Sequence, residues 1–91
     1  MEKKVFTVTE VNRLVGGLLD SLPPLWVEGE ISNFKLHTSG HIYFSLKDED
    51  AQMNCVMFRR YAQNPAVREL ISLGKLKNGQ KVCAYGTIRV Y

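Results

Sequence analysis

The chain has 91 residues, 45% hydrophobic and 23% charged, which fits one small globular domain over residues 1–91 and excludes a disordered polar segment. A domain of this size buries roughly 60–65% of its unfolded surface, so it can fold alone but leaves little room for an enclosed catalytic cleft. Its net charge of +3 is unevenly spread, with five Lys/Arg against eight Asp/Glu in residues 1–50 and seven Lys/Arg against Glu69 in residues 51–91; the basic second half fits a polyanion such as nucleic acid, or a solvated surface with no partner.

In chain order, Thr7-Val8-Thr9-Glu10 matches the S/T-x-x-E capping box, and Val8, Val11, Leu14, Val15, Leu18, Leu19 and Leu22 follow at helical spacing. A first helix is predicted over about 8–21, stopped by Pro23-Pro24. Gly16-Gly17 inside it costs roughly 1 kcal/mol per glycine against alanine, which points to close packing against a neighbour rather than a ligand loop.

Strand one is predicted from Leu25 to Leu36, with Val27 and Ile31 on one side and Trp26, Glu28 and Glu30 on the other. Gly29 between them is the expected bulge or coil where a small barrel turns its corner. Two carboxylates share the face of Trp26 and would repel phosphates, which favours helix-facing or structural packing over base stacking. Phe34 and Lys35, beyond the twist, are the better binding candidates.

His37-Thr38-Ser39-Gly40 suits a hairpin turn, and strand two then sets Ile42, Phe44 and Leu46 against His41, Tyr43, Ser45 and Lys47. The alternation gives one apolar face and one face of aromatic, hydroxyl and basic groups, which is the candidate binding surface. Tyr43 alone could equally be cross-strand packing; its alternation with His41 and Lys47 favours a surface role. After the acidic turn Asp48-Glu49-Asp50, Ala51 to Phe58 reads as strand three, with Met53, Cys55 and Met57 inward. Arg59-Arg60-Tyr61 at its exit is either a phosphate and base contact, because guanidinium pairs with phosphate and stacks on rings, or a solvated strand end.

Pro65 opens a short amphipathic helix through Val67, Leu70, Ile71 and Leu73, ended by Gly74. A basic turn leads to strand four, where Val82, Ala84, Gly86, Ile88 and Val90 alternate with Lys81, Cys83, Tyr85, Thr87, Arg89 and Tyr91. Cys55 and Cys83, without CxxC or metal spacing, read as reduced core or near-core thiols of a cytosolic protein. No signal peptide or membrane-length apolar segment is seen, so a soluble cytoplasmic domain without membrane contact is expected.

Helix, three sequential strands, helix, strand is the organisation of the OB-fold, a five-stranded Greek-key β-barrel that binds oligonucleotides on its strand two–three face. The fold class is therefore mainly β with α, the barrel occupying about 25–91 with its fifth strand missing. A single-strand groove needs cations along the backbone path and flat rings for bases; Phe34, Lys35, His37, His41, Tyr43, Lys47, Arg59 and Arg60 supply both.

VEGEISNFKLHTSGHIYFSLKDEDAQMNCVMF, together with VTEVNRLV before it and VCAYGTIRVY at the end, resembles the amino-terminal domain of the exodeoxyribonuclease VII large subunit over nearly the whole chain. The resemblance implies an OB module that presents single-stranded DNA to a nuclease domain further along a longer chain, in a bacterial cytoplasmic complex with a small subunit. That parent would hydrolyse single strands exonucleolytically from both ends to oligonucleotides. The catalytic region, the region expected to hold the small subunit and the fifth strand would all lie beyond residue 91.

No catalytic residue is assigned in this chain. His37 and His41 have the spacing of a helical zinc site, but a turn separates them and no third ligand is evident. Consecutive carboxylates at Asp48-Glu49-Asp50 point in different directions, which argues against a Mg²⁺ site; no metal or cofactor is expected. Two other readings remain: an interaction or architectural OB module, and an OB domain for structured RNA. Strands three and four without a fifth between them would have open edges, so self-association of this chain is expected.

Overall fold

The computed structural model describes residues 3–90. Its elements are α1 (Val8–Asp20), β1 (Leu25–Leu36), β2 (Ile42–Lys47), β3 (Gln52–Met57), α2 (Arg59–Ala62), α3 (Pro65–Ser72) and β4 (Lys81–Gly86). The strands form a four-stranded sheet in the order β3-β2-β1-β4. With the helices placed before β1 and between β3 and β4, this is the expected arrangement and is consistent with the OB fold. The chain divides into two compact units, Glu28–Cys83 and the flanking segments up to Val27 and from Ala84 onward.

In the flanking unit the capping box forms as read: Glu10 N–H donates to Thr7 Oγ1 at 3.1 Å and Thr7 N–H to Glu10 Oε1 at 3.3 Å. The apolar stripe Val8, Val11, Leu14, Val15 and Leu18 is exposed. Gly16 and Gly17 are not packing contacts, since a Cβ added at either would meet nothing within 4 Å. Trp26 packs on Tyr85, ring centroids 4.8 Å apart.

The last strand is shorter than the alternation suggested. It ends at Gly86, and Thr87 to Val90 follow outside the ladder. The reason is the partner: Trp26 lies against Tyr85, and β1 begins one residue earlier, at Leu25 behind two prolines, so β1 backbone runs out there.

The central unit carries the core. Ile31, Ile42 and Leu46 are buried, and the ladder pairs Ile31 with Leu46 and then Leu46 with Met53 and Ile42 with Met57. Alternation along each strand sets these apolar residues on one face, but Met53, read as inward, is 38% exposed on the edge strand β3, where Cys55 and Met57 are half-buried. The bulge, however, is not at Gly29. The β1–β2 register shifts between Ser32 and Lys35, where Asn33 takes φ 52. Asparagine adopts this left-handed conformation more readily than most residues, which is what lets β1 bend there. Gly29 instead serves close approach: a Cβ would stand 3.2 Å from Leu46 Cβ and 3.3 Å from the Lys47 carbonyl.

Two further departures bear on the site. Phe58 to Ala62 is not a strand exit; the Phe58 carbonyl accepts from Tyr61 and Ala62 N–H groups, each at 2.9 Å, and folds the chain into the α2 turn. Ala62, which no periodicity marked, is buried. Cys55 is half-buried, and burial pushes its thiol up, whereas Cys83 is exposed rather than in the core. At the acidic turn, Asp48 Oδ1 accepts from Asp50 and Ala51 N–H groups at 2.8 Å, which holds its carboxyl below the usual range. Among the described residues no helix is long and apolar enough to cross a membrane.

Candidate nucleic-acid interface

The polar face of the sheet in the central unit follows from register. Lys35 of β1 lies opposite Tyr43 of β2, which lies opposite Val56 of β3. Farther along come Ser32, Ser45 and Asn54, then Glu30, Lys47 and Gln52. Each row is two residues from the next along β2, so all three share one face.

Tyr43 is the centre of an aromatic group at the hairpin end. The His37 ring stands 5.7 Å from it at 84° and the His41 ring 6.3 Å at 90°. Phe58 joins through His41, at 5.6 Å and 86°. These contacts are all edge-on, so among the described residues no parallel ring covers Tyr43, which is 37% exposed. Sequence reasoning placed Phe58 on this face but did not count it in the site; its position at the strand exit beside two arginines was the available signal.

Each histidine is held by its Nδ1. His41 Nδ1 accepts the Arg59 backbone N–H at 2.8 Å, and His37 Nδ1 accepts the Ser39 N–H at 3.0 Å and lies 2.8 Å from Ser39 Oγ. With Nδ1 accepting, the neutral ring carries its proton on Nε2. The His41 bond ties the start of α2 to the hairpin. It brings Arg59 over Gly40, where a Cβ would come within 2.8 Å of Arg59 Cγ and Cδ. Gly40 also has φ 90, so both its conformation and the arginine stem call for glycine.

The eight sequence-predicted residues are thus only partly gathered. Lys35, His37, His41, Tyr43 and Arg59 come together at the hairpin end through the contacts above. Arg60 lies with its guanidinium 4.7 Å from the Tyr61 ring, a cation–π pair of its own. Lys47 is four residues from Tyr43, roughly 13 Å along the strand, and its Nζ is 3.4 Å from Glu30 Oε2, an exposed ion pair that offsets its charge. Phe34 sits half-buried in the bulge, its N–H donating to Asn78 Oδ1 at 2.9 Å. Phe34 falls where the β1–β2 register shifts and has no register partner on β2, a break in the alternation that the sequence reading did not include.

Ser45, expected on the open face, is 3% exposed. Its hydroxyl donates to Asn54 Oδ1 at 3.3 Å and accepts from Asn33 Nδ2 at 3.4 Å. The zinc spacing of His37 and His41 brings no third ligand: no group of three or more His, Cys, Asp or Glu is clustered to hold a metal among the described residues.

A family model described as an OB-fold nucleic acid binding domain matches residues 6–91. Exodeoxyribonuclease 7 large subunit of Clostridium botulinum (strain Loch Maree / Type A3) is 47% identical over 94 residues, covering 100% of this chain and 22% of that protein. The proteins of the same name from Clostridium acetobutylicum and Bacillus mycoides (strain KBAB4) are 45% and 43% identical, covering 97% and 100% of this chain and 21% and 19% of their own lengths. The chain therefore spans about a fifth of the relatives it matches, at their amino-terminal part.

Proposed function

The chain belongs to the family of OB-fold nucleic acid binding domains, and from that premise we propose that it binds single-stranded DNA on the hairpin end of its polar sheet face. The observation that carries this reading is Tyr43, a ring that no parallel ring covers among the described residues, flanked by Lys35, His37, His41 and Arg59. Stacking gives a base a flat partner of any sequence, and the cations give the phosphates theirs. Duplex has its bases already stacked and paired, so it cannot use the ring.

As part of a longer exodeoxyribonuclease VII large subunit, the module would present single strands to a nuclease region that hydrolyses them to oligonucleotides in the bacterial cytoplasm. A small subunit would be held by other regions of that protein. The chain itself would carry no catalytic group and need no cofactor, since none of the residues gathered at the face forms an arrangement that activates water.

The test is one titration comparing single-stranded DNA, duplex and RNA of equal length across a salt series. Single-stranded DNA should bind most tightly, with an affinity that falls steeply as salt rises, because phosphate neutralisation releases counterions. A salt-insensitive interaction would favour the interaction-module reading, and tighter binding of folded RNA would favour the RNA reading.

Self-association is a second element of the proposal. β3 and β4 are the edge strands of the sheet, and open edges pair with other strands. Light scattering across a dilution series should give a mass that rises with concentration. A strictly monomeric, cooperatively unfolding species at high concentration would remove this element.

A further inference from the structure

Within the central unit, the middle of the polar face is a hydrogen-bonded row and not a ring or a charge. Ser32, Ser45 and Asn54 are register partners across β1, β2 and β3, and Asn33, turned by its left-handed φ of 52, reaches back to Ser45 from the bulge. Ser45 lies beneath while Asn33 and Asn54 are exposed. The Ser32 hydroxyl oxygen is shielded and has no hydrogen-bond partner among the described residues, a state that costs free energy until something supplies one.

A serine hydroxyl has one proton, and that fact couples the two amides. Ser45 gives its proton to Asn54 Oδ1 and accepts from Asn33 Nδ2. Asn54 is left presenting its NH₂ group outward, and Asn33 its carbonyl oxygen. Because Ser45 is 3% exposed, its hydroxyl is shared between the two amides and not with solvent. The two free ends are therefore opposite in character: a donor on one side of Ser45 and an acceptor on the other.

We propose that this row reads the edge of one unpaired base, and that it sorts bases by whether they carry an amino or a keto group. Adenine and cytosine offer an exocyclic amino donor beside a ring-nitrogen acceptor; guanine and thymine offer a carbonyl acceptor beside a ring N–H donor. In one bound pose the first pair and the second pair present these groups in reversed order. One class meets the row donor to acceptor, while the other sets like against like. The inference rests on the reading above that this face takes single-stranded DNA: Tyr43, two residues from Ser45 on the same face, would stack the adjoining base without regard to its identity.

The experiment measures affinity for short oligomers of deoxyadenosine, deoxycytidine, thymidine and deoxyinosine at two salt concentrations. Deoxyinosine supplies the keto edge of guanine without its exocyclic amine. The amino pair and the keto pair should separate by about fivefold, the scale of one net hydrogen bond. The split should close to within about twofold in Asn54→Ala and Ser45→Ala, while the salt dependence stays as in the unmodified chain. Asn33→Gly removes the third member and keeps the left-handed backbone, so it should close the split with no loss of fold.

Size and self-stacking would instead sort purines from pyrimidines, a division that crosses the proposed one. Salt-dependent binding ordered by purine and pyrimidine, or with no order, or with an amino–keto split that survives all three substitutions, overturns base reading by the row and leaves the proposed binding face intact. No binding by any oligomer overturns the binding face and the base reading with it.

Discussion

Replacing Ile42 with alanine is expected to lower the unfolding free energy by about 2–5 kcal/mol, the range for truncating a buried aliphatic side chain where the surroundings collapse only in part. Ile42 is 2% exposed and is paired with Leu36 on one side and Met57 on the other. Small domains are stable by only about 5–15 kcal/mol in total, so this one substitution removes a large share. Urea denaturation should show the midpoint falling with little change in slope. The functional consequence follows from position: His41 and Tyr43 flank Ile42 in the chain, so the aromatic group loses its support when the core beneath it does. A loss below about 1 kcal/mol, the scale of Ile→Val, would mean that the hairpin is not anchored by this core.

What was legible in the sequence was what periodicity can carry. The alternation of β2 placed Ile42 and Leu46 in the core and Tyr43 outside it, and the capping box at Thr7 set the start of α1. Local conformations without a period were harder to see. Nothing in Ser32-Asn33-Phe34 announces a bulge except an asparagine, and the nearby Gly29 offered a more conventional signal that proved to be about clearance over Leu46. α2 is four residues long, too short for any helical pattern, and besides its local bonds it is tied by a long-range one that no local reading contains, Arg59 N–H to His41 Nδ1. The end of β4 is likewise decided by where β1 begins, a property of the partner strand.

The site shows the same division. Residue types suited to a single-strand groove were identifiable, but which cations are free to act was not. Lys47 spends its charge on Glu30 across the β1–β2 ladder, and Arg60 lies over Tyr61. Arg59 becomes part of the site because its backbone is held by His41 and its stem lies over Gly40. Alternation put Ser45 on the open face but could not show its burial or its partners, since a hydroxyl flanked by two amides is assembled only when three strands and a bulge are in register.

Tyr43→Ala is expected to weaken binding of single-stranded DNA by roughly fivefold to 150-fold, because a base stacked on an aromatic ring contributes about 1–3 kcal/mol. The ring has the exposure and the open environment for this, with His37 and His41 meeting it edge-on. Tyr43→Phe keeps the ring and removes the hydroxyl, so it should bind within about twofold of the unmodified chain if stacking rather than hydrogen bonding is the contribution. Both variants should unfold cooperatively near the unmodified midpoint, since Tyr43 lies outside the Ile31, Ile42 and Leu46 core. Unlike the loss of a phosphate contact, loss of a stacking ring leaves the salt dependence of affinity unchanged. Measuring both variants across a salt series therefore separates the roles: a parallel, weaker line for Tyr43→Ala is the expected result. If that substitution instead flattens the salt dependence, the ring acts by holding its cationic neighbours in place; if affinity is unchanged, bases are bound elsewhere on the sheet.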